Sequence, residues 1–189
     1  RGFLNNTPTY HYGSAFTKDS RYLVFTTCRF GHSAIMRAEL ETGDLTVLKS
    51  LPGFGGFKGG NPTELYGGGG GFLSTRVALA QASGWVLAAT QTQLLAVHVE
   101  TMEERVLISD LPHDKVFGVP AGSCDGKKAY VPVSPEHPDI TAGMLQPERG
   151  YDEALMDEFG GRPTTIVEVD IETGERREVH HEEIGGTSH

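Results

Sequence analysis

The sequence predicts an all-β fold, a β-propeller, from a phrase that it writes three times. Leu40-Glu41-Thr42-Gly43-Asp44 returns as Val99-Glu100-Thr101-Met102-Glu103 and as Ile171-Glu172-Thr173-Gly174-Glu175. Each copy follows one short alternating apolar run and precedes another, the signature of a β-hairpin, and Gly43 and Gly174 suit the positive φ of a tight turn. A second phrase supports the repeat. Thr17-Lys18-Asp19-Ser20-Arg21-Tyr22 recurs as Ser123-Cys124-Asp125-Gly126-Lys127-Lys128, with a weaker copy at Ala82-Ser83-Gly84-Trp85. The copies of the first phrase lie 59 and 72 residues apart, so each unit exceeds one hairpin. Each unit then reads as strand, Asp/Ser-Gly turn, strand, loop, strand, Glu-Thr-Gly turn, strand, the four-stranded sheet of one propeller blade. A β-sandwich could be built from the same hairpins, but it has little reason to repeat its turn chemistry at this period.

In order along the chain, residues 1–12 are expected as an approach loop. Three blades follow over about 13–50, 72–111 and 115–182 of a single domain, with the start of a further blade at 184–189. Three blades do not close a ring, since propellers typically carry four to eight. The 189 residues, which begin at Arg1 and end at His189, are therefore expected to be a segment of a larger ring, of seven blades, whose remaining sheets are its partner.

The third unit is stretched: Asp125 to Thr173 spans 48 residues where Asp19 to Thr42 spans 23. Within the extra length, Pro135, Pro138 and Pro147 oppose regular structure, whereas residues 151–159 set apolar side chains at helical spacing and stop at Gly160-Gly161. This predicts a projecting loop with a short helix. The other long loop, 51–71, is rich in glycine and carries Lys58, Asn61 and Tyr66. Long loops on a rigid scaffold are where binding walls are commonly built.

Composition narrows the function. A formal net charge of −9 argues against a nucleic-acid or anionic-membrane surface. No apolar run approaches the roughly 20 residues of a membrane span. Cys28 and Cys124 have no zinc-knuckle spacing and read as two free core thiols beside equivalent blade turns.

Among the 8 histidines, His11 and His32 share a placement. If the strands between them form one hairpin about Arg21, the two imidazoles fall side by side at one end of it, with Tyr10, Tyr12 and Arg29. His180 and His181 read more simply as an exposed strand end.

The stretch from Tyr10-His11-Tyr12-Gly13 through Thr17-Lys18-Asp19-Ser20-Arg21-Tyr22, with His32 and Leu40-Glu41-Thr42-Gly43-Asp44 behind it, resembles the propeller polysaccharide lyases. The two-histidine spacing is closer to the ulvan lyases, with the oligogalacturonate lyases second. The lyase-specific part covers residues 10–44 and extends at most to 184–189; the turn motifs occur in many propellers. The resemblance implies cleavage of a uronate-containing polysaccharide, ulvan-like and sulfated in the first choice, by β-elimination, and a secreted or periplasmic location. It places proton transfer on His11 and His32, with Tyr66 as a further acid. Arg29, Lys58, Arg76 and His189 are candidates to neutralise the uronate carboxylate, and Tyr10 to bind substrate. In the oligogalacturonate branch a divalent metal on a His/Gln set neutralises the carboxylate. His180, His181 and His189 could begin such a set but do not complete it, so metal identity and need stay open. An acidic chain acting on an acidic polysaccharide requires a locally basic cleft. The other function class is a non-catalytic propeller that binds a glycan or a protein partner.

Overall fold

The computed structural model describes residues 6–8, 15–27, 33–51, 77–90, 92–135 and 163–182. They form three antiparallel sheets that follow one another along the chain. Sheet one holds β1 (Asn6–Pro8), β2 (Tyr22–Thr27), β3 (Ser33–Glu39) and β4 (Leu45–Leu51), paired in that order. Sheet two holds β5 (Val77–Ala80), β6 (Trp85–Ala89), β7 (Leu94–His98) and β8 (Glu104–Ile108), again in order. In sheet three, β9 (Lys115–Phe117) and β10 (Ala121–Gly122) both pair with β11 (Lys128–Pro135), which is followed by β12 (Thr164–Asp170) and β13 (Arg176–Glu182).

The outer hairpins form where the repeated phrase puts them. In all three, the residue before the phrase donates its amide to the carbonyl of the phrase's fifth residue, as in Glu39 N to Asp44 O at 2.9 Å and Asp170 N to Glu175 O at 2.8 Å. The threonine common to the three copies closes the turn from within. The Thr42, Thr101 and Thr173 hydroxyls each accept the backbone N–H two residues on, at 3.1 to 3.3 Å. The fourth position is left-handed in every copy, with φ 76° at Gly43, 58° at Met102 and 74° at Gly174. The Asp-Ser/Gly turns match equally closely. Asp19 accepts the Thr17 hydroxyl at 2.6 Å and the Arg21 amide at 3.0 Å, and Asp125 does the same with Ser123 and Lys127 at the same distances.

Alternation decides which face each residue joins. Tyr22, Val24, Ile35, Leu48 and Leu51 of sheet one pack against Val77, Leu79, Val86, Ala88, Leu95 and Val97 of sheet two. The other face of sheet two, through Trp85, Leu87, Ala89, Leu94 and Ala96, packs on Ala129, Val131 and Val169 of sheet three. Burying sheet two on both faces separates this architecture from a sandwich, in which each sheet buries one. Sheets two and three also converge at their inner strands. A Cβ on Gly122 of β10 would lie 2.6 Å from the Ala80 Cβ of β5, and one on Gly126 would lie 2.5 Å from Ser83 Oγ, so only glycine permits the approach. At the outer strands the sheets are bridged by long side chains, Lys49 to Glu104 and Arg176 to Asp110. Sheets close at one edge and spread at the other are wedges around an axis, the arrangement of propeller blades.

Two expectations are corrected. The residues before Tyr12 are not all approach loop, because Asn6–Pro8 is the innermost strand of sheet one, with Asn6 opposite Thr27 and Pro8 opposite Phe25. Cys124 is a free, exposed thiol in a turn, not a core residue; Cys28 lies outside the described residues. The expected helix at 151–158 also falls outside them. No helix among the described residues is long and apolar enough to cross a membrane.

Candidate functional site

The up-and-down path gives the sheets two unlike edges. At one edge every connection is a short turn: 17–21, 40–44, 81–84, 99–103, 123–127 and 171–175. At the other edge lie the strand ends that bracket segments 28–32, 52–76 and 136–162, namely Thr27 and Ser33, Leu51 and Val77, Pro135 and Thr164. This loop-bearing edge is the candidate site. Its tight members are the turn at Thr90, whose hydroxyl accepts the Gln93 amide at 2.9 Å, and the 109–114 connection with Asp110, His113 and Asp114.

Tyr10, His11, Arg29, His32, Lys58, Tyr66, Arg76 and His189 all lie outside the described residues, so the structure fixes only the strand ends that flank them. For Arg29 and His32 these are Thr27 and Ser33, and for Lys58, Tyr66 and Arg76 they are Leu51 and Val77, all at the loop-bearing edge. For His11 the geometric premise changes. Pro8 pairs with Phe25 and Phe16 with Leu23, two registers that differ, and the Val24 amide between them donates to the Ala15 carbonyl at 2.8 Å. The described rungs of β1 and β2 therefore do not continue in one register to Phe16 and Leu23. Pro8, the last described residue before segment 9–14, stands two rungs or roughly 7 Å in from the edge marked by Thr27.

His180 and His181 are described and exposed on β13. As successive strand residues they alternate across the sheet: His180 stands opposite Ile166 and His181 opposite Thr165, whose hydroxyl lies 2.9 Å from His181 Nδ1. They cannot both ligate one ion on one face. Among the described residues no group of three or more His, Cys, Asp or Glu side chains could hold a metal.

The described residues do contain a polar cluster that the sequence did not suggest, on the face of sheet three turned away from sheet two. Glu168, nine-tenths buried, accepts the Tyr130 hydroxyl at 2.9 Å and the Arg177 guanidinium at 2.9 and 3.2 Å. Lys128 Nζ lies 2.8 Å from Asp170. The Arg177 bond, then the Tyr130 bond, holds the Glu168 carboxyl below its ordinary range, and the same bond to Glu168 raises the Tyr130 phenol. Asp170 is held far lower, first by Lys128 and then by the amides of its own turn. The cluster satisfies itself and offers no unpaired acid or base. Register would have revealed it, since Lys128, Tyr130, Glu168 and Arg177 occupy in sheet three the positions that Trp85, Leu87, Ala96 and Arg105 occupy in sheet two.

The sheets and their wedge define a β-propeller. Two oligogalacturonate lyases are similar in structure: one from Vibrio parahaemolyticus, at TM-score 0.64 and 19% identity, and one in complex with manganese, at TM-score 0.66 and 18% identity. Each match covers 96% of this chain and 42% of the lyase, so the chain spans less than half of their length. A TolB protein from Agrobacterium tumefaciens matches at TM-score 0.51 and 13% identity, over 93% of this chain and 51% of its own. No family model and no curated protein matches the sequence. Of the two lyase branches that the sequence resembles, the oligogalacturonate lyases are the ones among these structures, and the preference for the ulvan lyases finds no support.

Proposed function

We propose that this chain is part of a propeller polysaccharide lyase that cleaves a uronate-containing polysaccharide by β-elimination, at the loop-bearing edge of its sheets. The observation that carries the reading is the placement of the strand ends around 28–32 and 52–76 at one edge, which gives the segments bearing His32, Arg29, Lys58, Tyr66 and Arg76 a common origin. The likeness to two oligogalacturonate lyases over 96% of the chain supports it.

The chemistry requires three acts. A base removes the proton at C5, the C4–O4 bond breaks as a C4–C5 double bond forms, and an acid returns a proton to O4. The C5 proton is acidic enough only when the adjacent carboxylate is neutralised, because the developing charge is an enolate. His11 and His32 take the proton-transfer roles, for which imidazole suits near-neutral pH, with Tyr66 as a further acid. Arg29, Lys58, Arg76 and His189 neutralise the carboxylate, and Tyr10 lines the sugar. A divalent cation would share that neutralisation, in keeping with the manganese complex of one similar lyase. A secreted or periplasmic location goes with such a substrate.

The test is a spectrophotometric assay with pectic oligomers and with ulvan, in which elimination creates an unsaturated uronate that absorbs in the ultraviolet. A rise with either substrate supports the lyase. A flat trace with both, with and without added manganese, overturns it. The second reading, a non-catalytic propeller that binds a glycan or protein, is favoured by the net charge of −9, which opposes a polyanionic substrate.

A further inference from the structure

Both seams between sheets are made the same way. At the first, Arg37 stacks on Tyr22 with its guanidinium carbon 4.8 Å from the ring centre, and it donates across the seam to the carbonyls of Val99 and Glu100. At the second, Arg105 stacks on Trp85 at 4.6 Å and donates to the Ile171 carbonyl at 3.0 Å. Tyr22 and Trp85 each open the second strand of their sheet, and Val99 and Ile171 hold the same place in successive outer hairpins. An arginine flattened on a ring, aimed at the hairpin of the next sheet, is thus the device that registers neighbours.

Sheet one carries the receiving half of this device, and no described residue donates into it. The face turned away from sheet two presents Leu23, Phe25, Met36 and Ala38, on the rungs that Val86, Ala88, Leu95 and Val97 occupy in sheet two. Those four are buried against sheet one, whereas Leu23, Phe25 and Ala38 are partly open, and Leu45 and Val47 beside them are 59% and 41% exposed. Leu40 stands where Val99 and Ile171 stand, and its carbonyl takes no donor from the described residues. We propose that this face is a docking seat for a further antiparallel sheet of the same repeat, one that presents an aromatic ring with an arginine stacked on it and donates to the Leu40 carbonyl. The inference is independent of the lyase reading. It also names what does not fit. The outer face of sheet three has Lys128 where Tyr22 and Trp85 stand, and Arg177, on the rung of Arg105, is held by Glu168 of its own sheet. Head-to-tail docking of a second copy would therefore lack both ring and free guanidinium.

Hydroxyl-radical footprinting of the intact wild-type protein tests this, with rates normalised for side-chain type. Leu23 and Phe25 should label at least ten-fold more slowly than the exposed Val106 and Val179, at the level of the buried Val86 and Leu87. The variants Phe25→Lys and, more mildly, Leu45→Lys should raise labelling at Leu23 and Met36 while Leu87 and Val131 stay protected, which shows that the second seam persists. Labelling of Leu23 and Phe25 at the rate of Val106 overturns the proposal. Protection lost on dilution together with a dimer-to-monomer change in sedimentation also overturns it, because a second copy would then be the occupant.

Discussion

Met102 is the one residue other than glycine at the fourth position of the repeated outer turn, and its replacement by glycine should stabilise the protein. Its φ of 58° lies in the left-handed region, where an L side chain costs about 1–2 kcal/mol. Glycine removes that strain but loses more chain entropy on folding, about 0.5–1 kcal/mol. The Met102 side chain is itself exposed, so little packing is lost. The balance is a gain of about 0.5–1 kcal/mol, or roughly 1–4 °C in Tm for a chain of this size. The sister turns are internal controls. A Cβ at Gly43 or Gly174 meets nothing within 4 Å, so Gly43→Met and Gly174→Met should reverse the sign through backbone strain alone. Gly126→Ala should cost more than either, since it adds a collision with Ser83 to the strain of φ 74°. Thermal and urea unfolding of the four variants provide the measurement. A loss of stability in Met102→Gly, or no difference between Gly126→Ala and the outer-turn variants, would refute the reasoning.

Arg105→Ala should lower stability by about 2 kcal/mol, through the stacking on Trp85 and the bond to the Ile171 carbonyl, and Arg105→Lys should recover little of it because an ammonium neither lies flat on the ring nor forks; urea midpoints decide. The turn carboxyls Asp19, Asp125 and Asp170 titrate below their ordinary value of 3.8 in the folded state, so the stability they contribute is complete above about pH 5 and is lost as the pH falls through their lowered folded values. Asp125→Asn should flatten that acid limb in pH-dependent unfolding, and an unchanged limb would count against the turn as its source. His11→Ala and His32→Ala should each reduce the rate of unsaturated-uronate formation by roughly 10²-fold or more, with substrate binding much less affected. Loss of binding in parallel with rate would point to a structural role.

What could be read from the sequence was local. The outer hairpins were legible because a threonine hydroxyl and a left-handed residue close each turn from within it, and the Asp19 and Asp125 turns because a hydroxyl and a carboxylate two residues apart do the same. The innermost strands were not. Asn6-Thr7-Pro8 has no apolar alternation to announce it, and the inner strand of sheet three is divided into β9 and β10 around Gly118 and Pro120. The pairing argument for His11 and His32 assumed one unbroken register, whereas the described rungs on either side of segment 9–14 differ in register, and both histidines lie outside the described residues. The seam arginines escaped notice because Arg37 and its acceptor Val99 lie in different repeats, and only the packing of one sheet on the next brings them together. Of the eight candidate residues of the site, Lys58, Tyr66 and Arg76 lie in the long segment 52–76, where turn chemistry prescribes no conformation, and Tyr10, His11, Arg29, His32 and His189 lie in shorter segments that carry no repeated turn phrase.

Every strand of the three sheets pairs with its neighbour along the chain, apart from the divided inner strand of sheet three, and this has a kinetic consequence. A meander of near neighbours needs little loop closure, so sheets one and two can each assemble from local encounters before any seam forms. In sheet three the central hairpin must bring Pro135 to Thr164 across residues 136–163, where sheet one bridges Thr27 to Ser33 across 28–32. By the logarithmic scaling of loop closure this adds about 1.5 kcal/mol to that hairpin's nucleation. Of these three sheets the third would then be the slowest to zip, completing itself against the already formed wall of Leu87, Leu94 and Ala96.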